Sequence, residues 1–181
     1  MNITVYLGSS GENNARIAAC TRQLGAWIGS HGHTLVFGGS KTGLMGVLCD
    51  SVLSSGGRVI GVIPDVPMIL ERIHPSLTER IMVEDMAERR KRMIQLGDAF
   101  IALPGGIGTL DEITEVITLM RLEQLSAPCV MLGPDGFWLP FQKMCDEMEK
   151  SGFLPGNLTG QVFFTDSVEK AAQKIESAGR I

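Results

Sequence analysis

The sequence contains 181 residues with a formal net charge of −4, and 44% of the residues are apolar while 20% are charged. This length favours one domain whose core needs no disulfide or metal staple, and the composition excludes intrinsic disorder. The mild acidity and the absence of a basic stripe argue against a nucleic-acid polymer as partner. No apolar run reaches the roughly 18 residues of a membrane span, so we expect no membrane association.

Cysteine and histidine usage argues against a disulfide framework and against a metal site. The four cysteines are widely separated, and none lies near a histidine in the sequence. The N-terminal segment also lacks the charged and apolar regions of a signal peptide. We therefore expect reduced, buried thiols, no bound metal and a cytoplasmic protein.

Short β-rich apolar runs alternate with segments of helical periodicity along nearly the whole chain. In chain order, the patterns predict a strand at 3–7, a helix at 14–30, a strand at 34–37, a helix at 44–53, a strand at 58–63, an irregular connection at 64–75, a strand at 77–83, a helix at 86–96, a strand at 99–103, a helix at 109–122, a strand at 129–132, a helix at 137–150, a strand at 162–164 and a last helix from 167. This alternation predicts an α/β fold, a Rossmann-like, doubly wound and mostly parallel sheet with helices on both faces, formed by residues 1–181 as one domain.

Glycine is the compositional outlier, with 22 residues, and three glycine clusters directly follow predicted strands. The clusters lie at 8–11, 38–43 and 104–108. In sheets of this type, ligands bind beyond the carboxyl ends of the strands, at the point where the strand order reverses. The sequence therefore predicts that the three loops line one crevice.

The segment LPGGIGTLDE, from Leu103 to Glu112, runs from a predicted buried strand into a predicted helix. Its glycines allow backbone N–H groups to face a ligand, and the helix N-terminus adds a partial positive charge, which predicts a phosphate cradle. It is not a dinucleotide fingerprint, because Asp111 occupies the third glycine position, and the chain has no Walker A lysine. The alternative interpretation is a tight strand-to-helix turn without a ligand.

Glu112 has two interpretations of equal weight. Thr109 followed three residues later by Glu112 matches a capping box, in which the glutamate only closes its own helix. Alternatively, Glu112 lies at the edge of the apolar stripe of this helix and points into the crevice beside the phosphate cradle.

The segment from Met86 to Met93 contains two arginines, Arg89 and Arg90, that flank the apolar face of a predicted helix. The planar guanidinium group of arginine suits the recognition of phosphate and carboxylate. The alternative is a solvated basic helix face, which fits Lys91 and Arg92 well and Arg89 less well.

A third strand-to-helix segment, FGGSKTGLMG at 37–46, ends with two glycines three residues apart, a spacing that indicates close helix packing. Ser40, Lys41 and Thr42 are candidates for contact with a nucleotide.

Together these segments resemble the LOG ("Lonely Guy") family of cytokinin riboside 5′-monophosphate phosphoribohydrolases, whose members are often mislabelled lysine decarboxylases. PGGIGTLDE at 104–112 matches the family signature PGGxGTxxE, and GGSKTGLMG at 38–46 is similar to GGGxxGLMG. Arg89 fits the M-x-x-R element, and VYLGSS at 5–10 resembles the opening strand and turn. The resemblance covers most of the chain in the same order.

The resemblance implies a nucleotide-binding domain that hydrolyses a nucleoside 5′-monophosphate to free base and ribose 5-phosphate, without a cofactor and as a homodimer. It makes Arg89 and Glu112 the catalytic residues. The residues expected to bind substrate and its phosphate are Gly8, Ser9, Gly38, Gly39, Ser40, Met86, Arg90, Pro104, Gly105, Gly106, Ile107, Gly108 and Thr109.

The chain departs from the family pattern at several positions. Ser40 replaces a glycine, Ala87 stands where many members have histidine, and Arg90 stands where they have lysine. The stretch after Leu125 is shortened to Ser-Ala-Pro at 126–128, near the nucleotide side of the site in the family. The released base, adenine or a cytokinin, therefore stays open.

Two other functions are alternatives to hydrolysis. A binding or carrier protein for a nucleotide or for molybdenum cofactor would use the same cradle without cleavage. Lysine decarboxylation is rejected, because pyridoxal phosphate requires a Schiff-base lysine and Lys41 is the only lysine in a candidate loop.

Overall fold

A computed structural model of the chain describes residues 1–154 and 161–178, and the remaining residues of the predicted 1–181 domain lie outside this description. The strands are β1 (Asn2–Tyr6), β2 (Thr34–Phe37), β3 (Arg58–Pro64), β4 (Glu79–Val83), β5 (Ala99–Ala102), β6 (Cys129–Leu132) and β7 (Val162–Thr165). The helices are α1 (Ala15–Ser30), α2 (Gly43–Ser54), α3 (Pro67–Leu70), α4 (Met86–Leu96), α5 (Ile107–Arg121), α6 (Leu139–Lys150) and α7 (Val168–Ala178), with a 3₁₀ turn at Pro134–Gly136.

The seven strands form one sheet in the order β4-β3-β2-β1-β5-β6-β7, and every neighbouring pair is parallel. The chain builds outward from β1 to β4 and then returns to place β5 on the other side of β1. At this reversal, Tyr6 of β1 pairs with Ala102 of β5. The predicted Rossmann-like, doubly wound sheet is therefore confirmed, and its ligand-binding edge lies beyond the ends of β1 and β5.

Apolar clusters cover both faces of the sheet. On one face, Ile3, Val5 and Leu7 pack with buried side chains of α1, α2 and α7. On the other face, Tyr6 packs with buried side chains of α4, α5 and α6. Because both faces are covered, the central strand β5 is entirely buried and apolar, as is typical of parallel sheets.

The predicted elements agree with the structure to within two residues, with two additions, of which one is the 3₁₀ turn at Pro134–Gly136. Helix α5 begins at Ile107, two residues earlier than predicted, because Gly106 serves as its N-cap. The connection at 64–75, predicted as irregular, contains the short helix α3, which begins at Pro67, a position that suits proline. Across residues 1–154 and 161–178, the structure has no helix with the length and apolar character to cross a membrane.

Candidate active site

Three glycine loops meet beyond the carboxyl ends of β1, β2 and β5. The N–H of Gly8 donates to the carbonyl of Pro104 over 3.1 Å, which joins the β1 loop to the β5 loop. Gly43 has a φ of +60°, and a Cβ at this position would overlap the backbone of Ser9. The loop after β2 is thereby held against the β1 loop, and the three loops line one crevice.

The crevice has two compartments. The first, of about 250 Å³, is lined by the β1 loop and by the first turns of α4 and α5. The second, of about 150 Å³, lies between the β2 loop and the segment that contains α3. Ser9, Met45 and Arg89 line both compartments, so Arg89 stands at their junction.

The N-terminus of α5 forms an open cradle at the first compartment. Within the described residues, no side chain caps this helix, and its first turn contains no acidic residue. A Cβ added to Gly106 or Gly108 would meet no atom within 4 Å, so packing in the chain does not explain why these positions lack a side chain. Exposed backbone N–H groups and the positive end of the helix dipole suit a phosphate at this position.

Gly105 and Thr109 have a structural part in the same loop. A Cβ on Gly105 would overlap the Thr109 hydroxyl and lie 2.9 Å from the N–H nitrogen of Gly8. Thr109 is itself buried. These two residues pack the glycine loop against β1, whereas the exposed side chain of Ile107 points away from the core.

Arg89 and Glu112 form a buried ion pair at the junction of the compartments. Nη2 of Arg89 lies 3.4 Å from Oε1 of Glu112, and both side chains are only 8% exposed. Nη1 of Arg89 lies 3.6 Å from the sulfur of Met86, while Nε has no partner within the described residues. A Cβ on Gly38 would overlap Nη2, so the bare glycine leaves room for the guanidinium group.

Caps at the start of α4 place Arg89 in the first turns of this helix. The Asp85 side chain accepts a hydrogen bond from the N–H of Glu88 over 2.8 Å. The Glu88 carboxylate in turn accepts from the N–H of Glu84 over 2.7 Å. This reciprocal capping fixes the direction in which the chain enters α4.

Burial raises the pKa of Glu112 to about 7, and Asp111 raises it as well, while Arg89 and Arg90 lower it. The carboxyl group therefore changes its charge near neutral pH. The capping-box interpretation of Glu112 is wrong, because α5 begins at Ile107 and Glu112 lies beyond its first turn.

Arg90 does not line either compartment. Its Nε lies 2.9 Å from Glu115 and its Nη1 lies 3.2 Å from Asp111, both on α5. The sequence predicts that Arg90 binds the phosphate of the substrate, whereas in the structure its guanidinium group contacts these two carboxylates. Lys91 and Arg92 are exposed, as expected for a solvated basic face.

The β2 loop uses its polar groups mainly within the chain. The Ser40 hydroxyl lies 2.9 Å from that of Thr42 and accepts from the Thr42 N–H over 3.2 Å. The N–H of Lys41 donates to Arg72 over 2.7 Å, and that of His74 donates to Gly39 over 2.8 Å.

Sequence reasoning missed the side chains that close the second compartment from the α3 segment, namely Met68, Ile69 and Arg72. Pro67 could have indicated a helix start there. No sequence signal indicated the contact of this segment with the β2 loop, because it depends on backbone hydrogen bonds. Among the described residues, no group of three or more His, Cys, Asp or Glu side chains could hold a metal ion.

Comparison with known proteins supplies relatives over nearly the whole chain. The model of the family described as "Possible lysine decarboxylase" matches residues 45–175. A cytokinin riboside 5′-monophosphate phosphoribohydrolase of Rhodococcoides fascians is 36% identical over 177 residues, covering 97% of this chain and 89% of the relative. One from Arabidopsis thaliana is 34% identical, covering 96% of this chain and 82% of the relative.

Solved structures with the same fold are more distant in sequence. The molybdenum cofactor binding protein of Rippkaea orientalis superposes with a TM-score of 0.72 at 20% identity, covering 97% of this chain and 94% of that chain. The molybdenum cofactor carrier protein of Chlamydomonas reinhardtii has a TM-score of 0.71 at 20% identity, covering 99% and 98%. At this identity, the likeness shows the shared fold alone.

Proposed function

The chain belongs to the LOG family, and from this membership we propose that it hydrolyses the N-glycosidic bond of a nucleoside 5′-monophosphate to free base and ribose 5-phosphate. The substrate is AMP or a cytokinin riboside 5′-monophosphate. The observation that carries the proposal is the buried Arg89–Glu112 pair, which lies beside the open N-terminus of α5.

The α5 cradle binds the 5′-phosphate in this proposal. Gly106 and Gly108 leave the space above the helix N-terminus free, and backbone N–H groups there donate to phosphate oxygens. Binding at this end fixes the ribose in the first compartment, so binding energy from the phosphate assists cleavage at the other end of the sugar.

Glu112 acts in its ionised form. As the bond between C1′ and the base breaks, the base leaves with the bonding electron pair and positive charge develops on the ribose ring. A carboxylate stabilises this oxocarbenium-like state and accepts a proton from the water whose oxygen bonds to C1′, while the departing base takes up a proton from solvent. Arg89 favours the ionised carboxylate through its positive charge.

Neither compartment fits lysine decarboxylation, because none of the described residues that line them is a lysine. A Schiff-base cofactor would need one there.

To test the proposed hydrolysis, the purified protein is incubated with AMP and with isopentenyladenosine 5′-monophosphate, and the released free base and ribose 5-phosphate are measured. We expect release from at least one nucleotide and its loss in Glu112→Gln. Glu147→Gln is the control, since Glu147 is exposed and pairs with Lys150 on α6. Tight nucleotide binding without release by the wild type would refute the hydrolase and favour the carrier.

We also propose that the chain forms one domain, lies in the cytoplasm and assembles as a homodimer. A single sheet spans β1 to β7, which supports one domain. All four cysteines are free and buried, which suits a reducing compartment. Ile107 is 82% exposed at the rim of the crevice, and Met86 is also exposed, which supports a partner subunit there. Light scattering after size-exclusion chromatography gives the assembly size, and a monomer at all concentrations would contradict the dimer.

A further inference from the structure

Tyr6 carries a buried hydroxyl that the mechanism above does not use. The residue is 1% exposed, and its Oη has no hydrogen-bond partner within the described residues. Buried tyrosines normally find a partner for this group, because an unpaired buried hydroxyl opposes folding. The orphaned hydroxyl is therefore a candidate for a contact that forms only when the site is occupied.

Strand geometry directs Tyr6 toward the catalytic pair. Val5 and Leu7 belong to the apolar cluster under α1 and α2, whereas Tyr6 belongs to the cluster under α4 and α5. These two helices carry Arg89 and Glu112. The phenol therefore packs beneath the helices on which the catalytic pair is placed.

Both members of the catalytic pair influence the charge state of Tyr6. Burial raises the pKa of the phenol, and Glu112, Cys129 and Glu115 raise it further, in that order, while Arg89 lowers it. Glu112 is thus the strongest charged influence on Tyr6. The phenol stays neutral throughout the working pH range and is available as a hydrogen-bond donor.

Glu112 has capacity for another donor. Within the described residues, its one ion pair joins Oε1 to Arg89 at the long distance of 3.4 Å. The groups that face its carboxyl are Arg89 and Arg90 of α4, Asp111 of its own helix, and Tyr6 of β1. Of these, only Tyr6 is an uncharged donor without a partner.

We propose that Tyr6 is a positioning residue for Glu112, and that its hydroxyl donates a hydrogen bond to the carboxylate, directly or through one water molecule, when a nucleotide or its ribose 5-phosphate part occupies the crevice. The proposal rests on the proposed hydrolase function, in which the carboxylate is the working form. A donor to a carboxylate favours its ionised state and fixes its orientation. The hydrogen bond from Tyr6 thereby counteracts the effect of burial, which favours the neutral form of Glu112.

Tyr6→Phe tests this role, with Thr4→Val as the matched control. Thr4 lies two residues earlier on the same face of β1, but its hydroxyl already donates to the carbonyl of Met93 over 3.0 Å. Carbon NMR of glutamate-labelled protein measures the pKa of Glu112, with Glu112→Gln assigning the resonance. The titration is made with and without ribose 5-phosphate as the probe.

With ribose 5-phosphate bound, we expect the pKa of Glu112 to rise by about one unit in Tyr6→Phe and to stay unchanged in Thr4→Val. The acid limb of the pH profile of kcat, which reports the complex with nucleotide, should move by the same amount, so the loss is about tenfold at low pH and vanishes at high pH. An unchanged pKa of Glu112 in Tyr6→Phe would overturn the proposal. The titration needs no turnover, so its result is independent of whether the protein hydrolyses nucleotides. Failure of the hydrolase proposal is seen separately, as the absence of base release by the wild type.

A second readout needs no substitution at Tyr6. The chain has one tyrosine, so a ¹³Cζ-tyrosine label gives a single assigned signal. We expect ribose 5-phosphate to shift this signal in the wild type and to leave it nearly unmoved in Glu112→Ala, which removes the acceptor. An equal shift in both proteins would show that the hydroxyl finds another partner, which contradicts the proposal.

Discussion

Gly38→Ala should disable the site without unfolding the protein. A Cβ at this position would overlap Nη2 of Arg89 and lie 3.0 Å from its Cζ, while Cε of Met45 lies at 3.4 Å. The overlapping atoms are the ends of flexible side chains, so the guanidinium group retreats by on the order of 1 Å and the backbone stays in place. Since Nη2 is already 3.4 Å from Glu112, this retreat breaks the pair.

The expected effect follows from positioning. A displacement of about 1 Å in a catalytic group can lower the rate about 100-fold, so we expect a loss of that order in kcat/KM for nucleotide hydrolysis. The pKa of Glu112 should rise further, because Arg89 is what lowers it most. Stability should fall by on the order of 3 kcal/mol, because separating the pair leaves buried charge without its partner.

A double-mutant cycle makes the reasoning refutable. If Gly38→Ala acts only through Arg89, then adding it to Arg89→Ala should cost no further activity. Steady-state kinetics on the four proteins and thermal unfolding of each give the required values. Full activity of Gly38→Ala, or an additive loss in the double variant, would show that the glycine serves some other purpose.

Activity should rise with pH through about 7 as Glu112 ionises, and a pH profile of activity that is flat around 7 would contradict this. Three further results are expected. Because the pKa of this carboxyl is raised from 4.5 to about 7, the folded protein binds more protons than the unfolded chain between these pH values. As pH rises across this interval, the wild type should therefore lose about 3 kcal/mol of stability relative to Glu112→Gln. Urea denaturation at several pH values measures this loss. Gly108→Ala should leave stability equal or raise it by up to about 1 kcal/mol, yet raise KM, because its Cβ meets only the space assigned to phosphate. Asp85→Ala should lower stability by about 1 kcal/mol through loss of the α4 cap.

Each of these results has an outcome that would contradict it. A pH-independent stability difference between wild type and Glu112→Gln would mean that the carboxyl titrates normally. An unchanged KM in Gly108→Ala would place the phosphate elsewhere. Unaltered stability in Asp85→Ala would mean that water replaces the cap at no cost, and Asn at the same position is the matched control that keeps it.

The fold was predictable because both of its signals are local. The strands are short and mostly apolar runs, of which Ala99–Ala102 is apolar throughout, and the long helices show their own periodicity. Parallel pairing and two covered faces then follow from the alternation of strands and helices. The start of α5 was misplaced because three glycines hide the helix signal, and Gly106 caps through its backbone conformation without a side chain.

The site was predictable only in part. Arg89 and the glycine loop carry motifs, so the sequence indicates them without any knowledge of distances. The ion pairs of Arg90 with Asp111 and Glu115 depend on how α4 packs against α5. The second compartment depends on backbone hydrogen bonds such as that from Lys41 to Arg72. Contacts between segments that are distant in sequence leave no local pattern from which to infer them.

The buried pair is itself an argument for function. A buried arginine–glutamate pair seldom adds stability over apolar residues of the same volume, since burial removes both charges from water. In this chain, the arrangement also leaves Nε of Arg89 without a partner among the described residues and moves the pKa of Glu112 to about 7. Both features oppose folding and both are useful to a hydrolase that must bind an anion and move a proton near neutral pH. The net charge of −4 therefore says little about the ligand, because the local field at the crevice is set by Arg89 and by the N–H groups of α5.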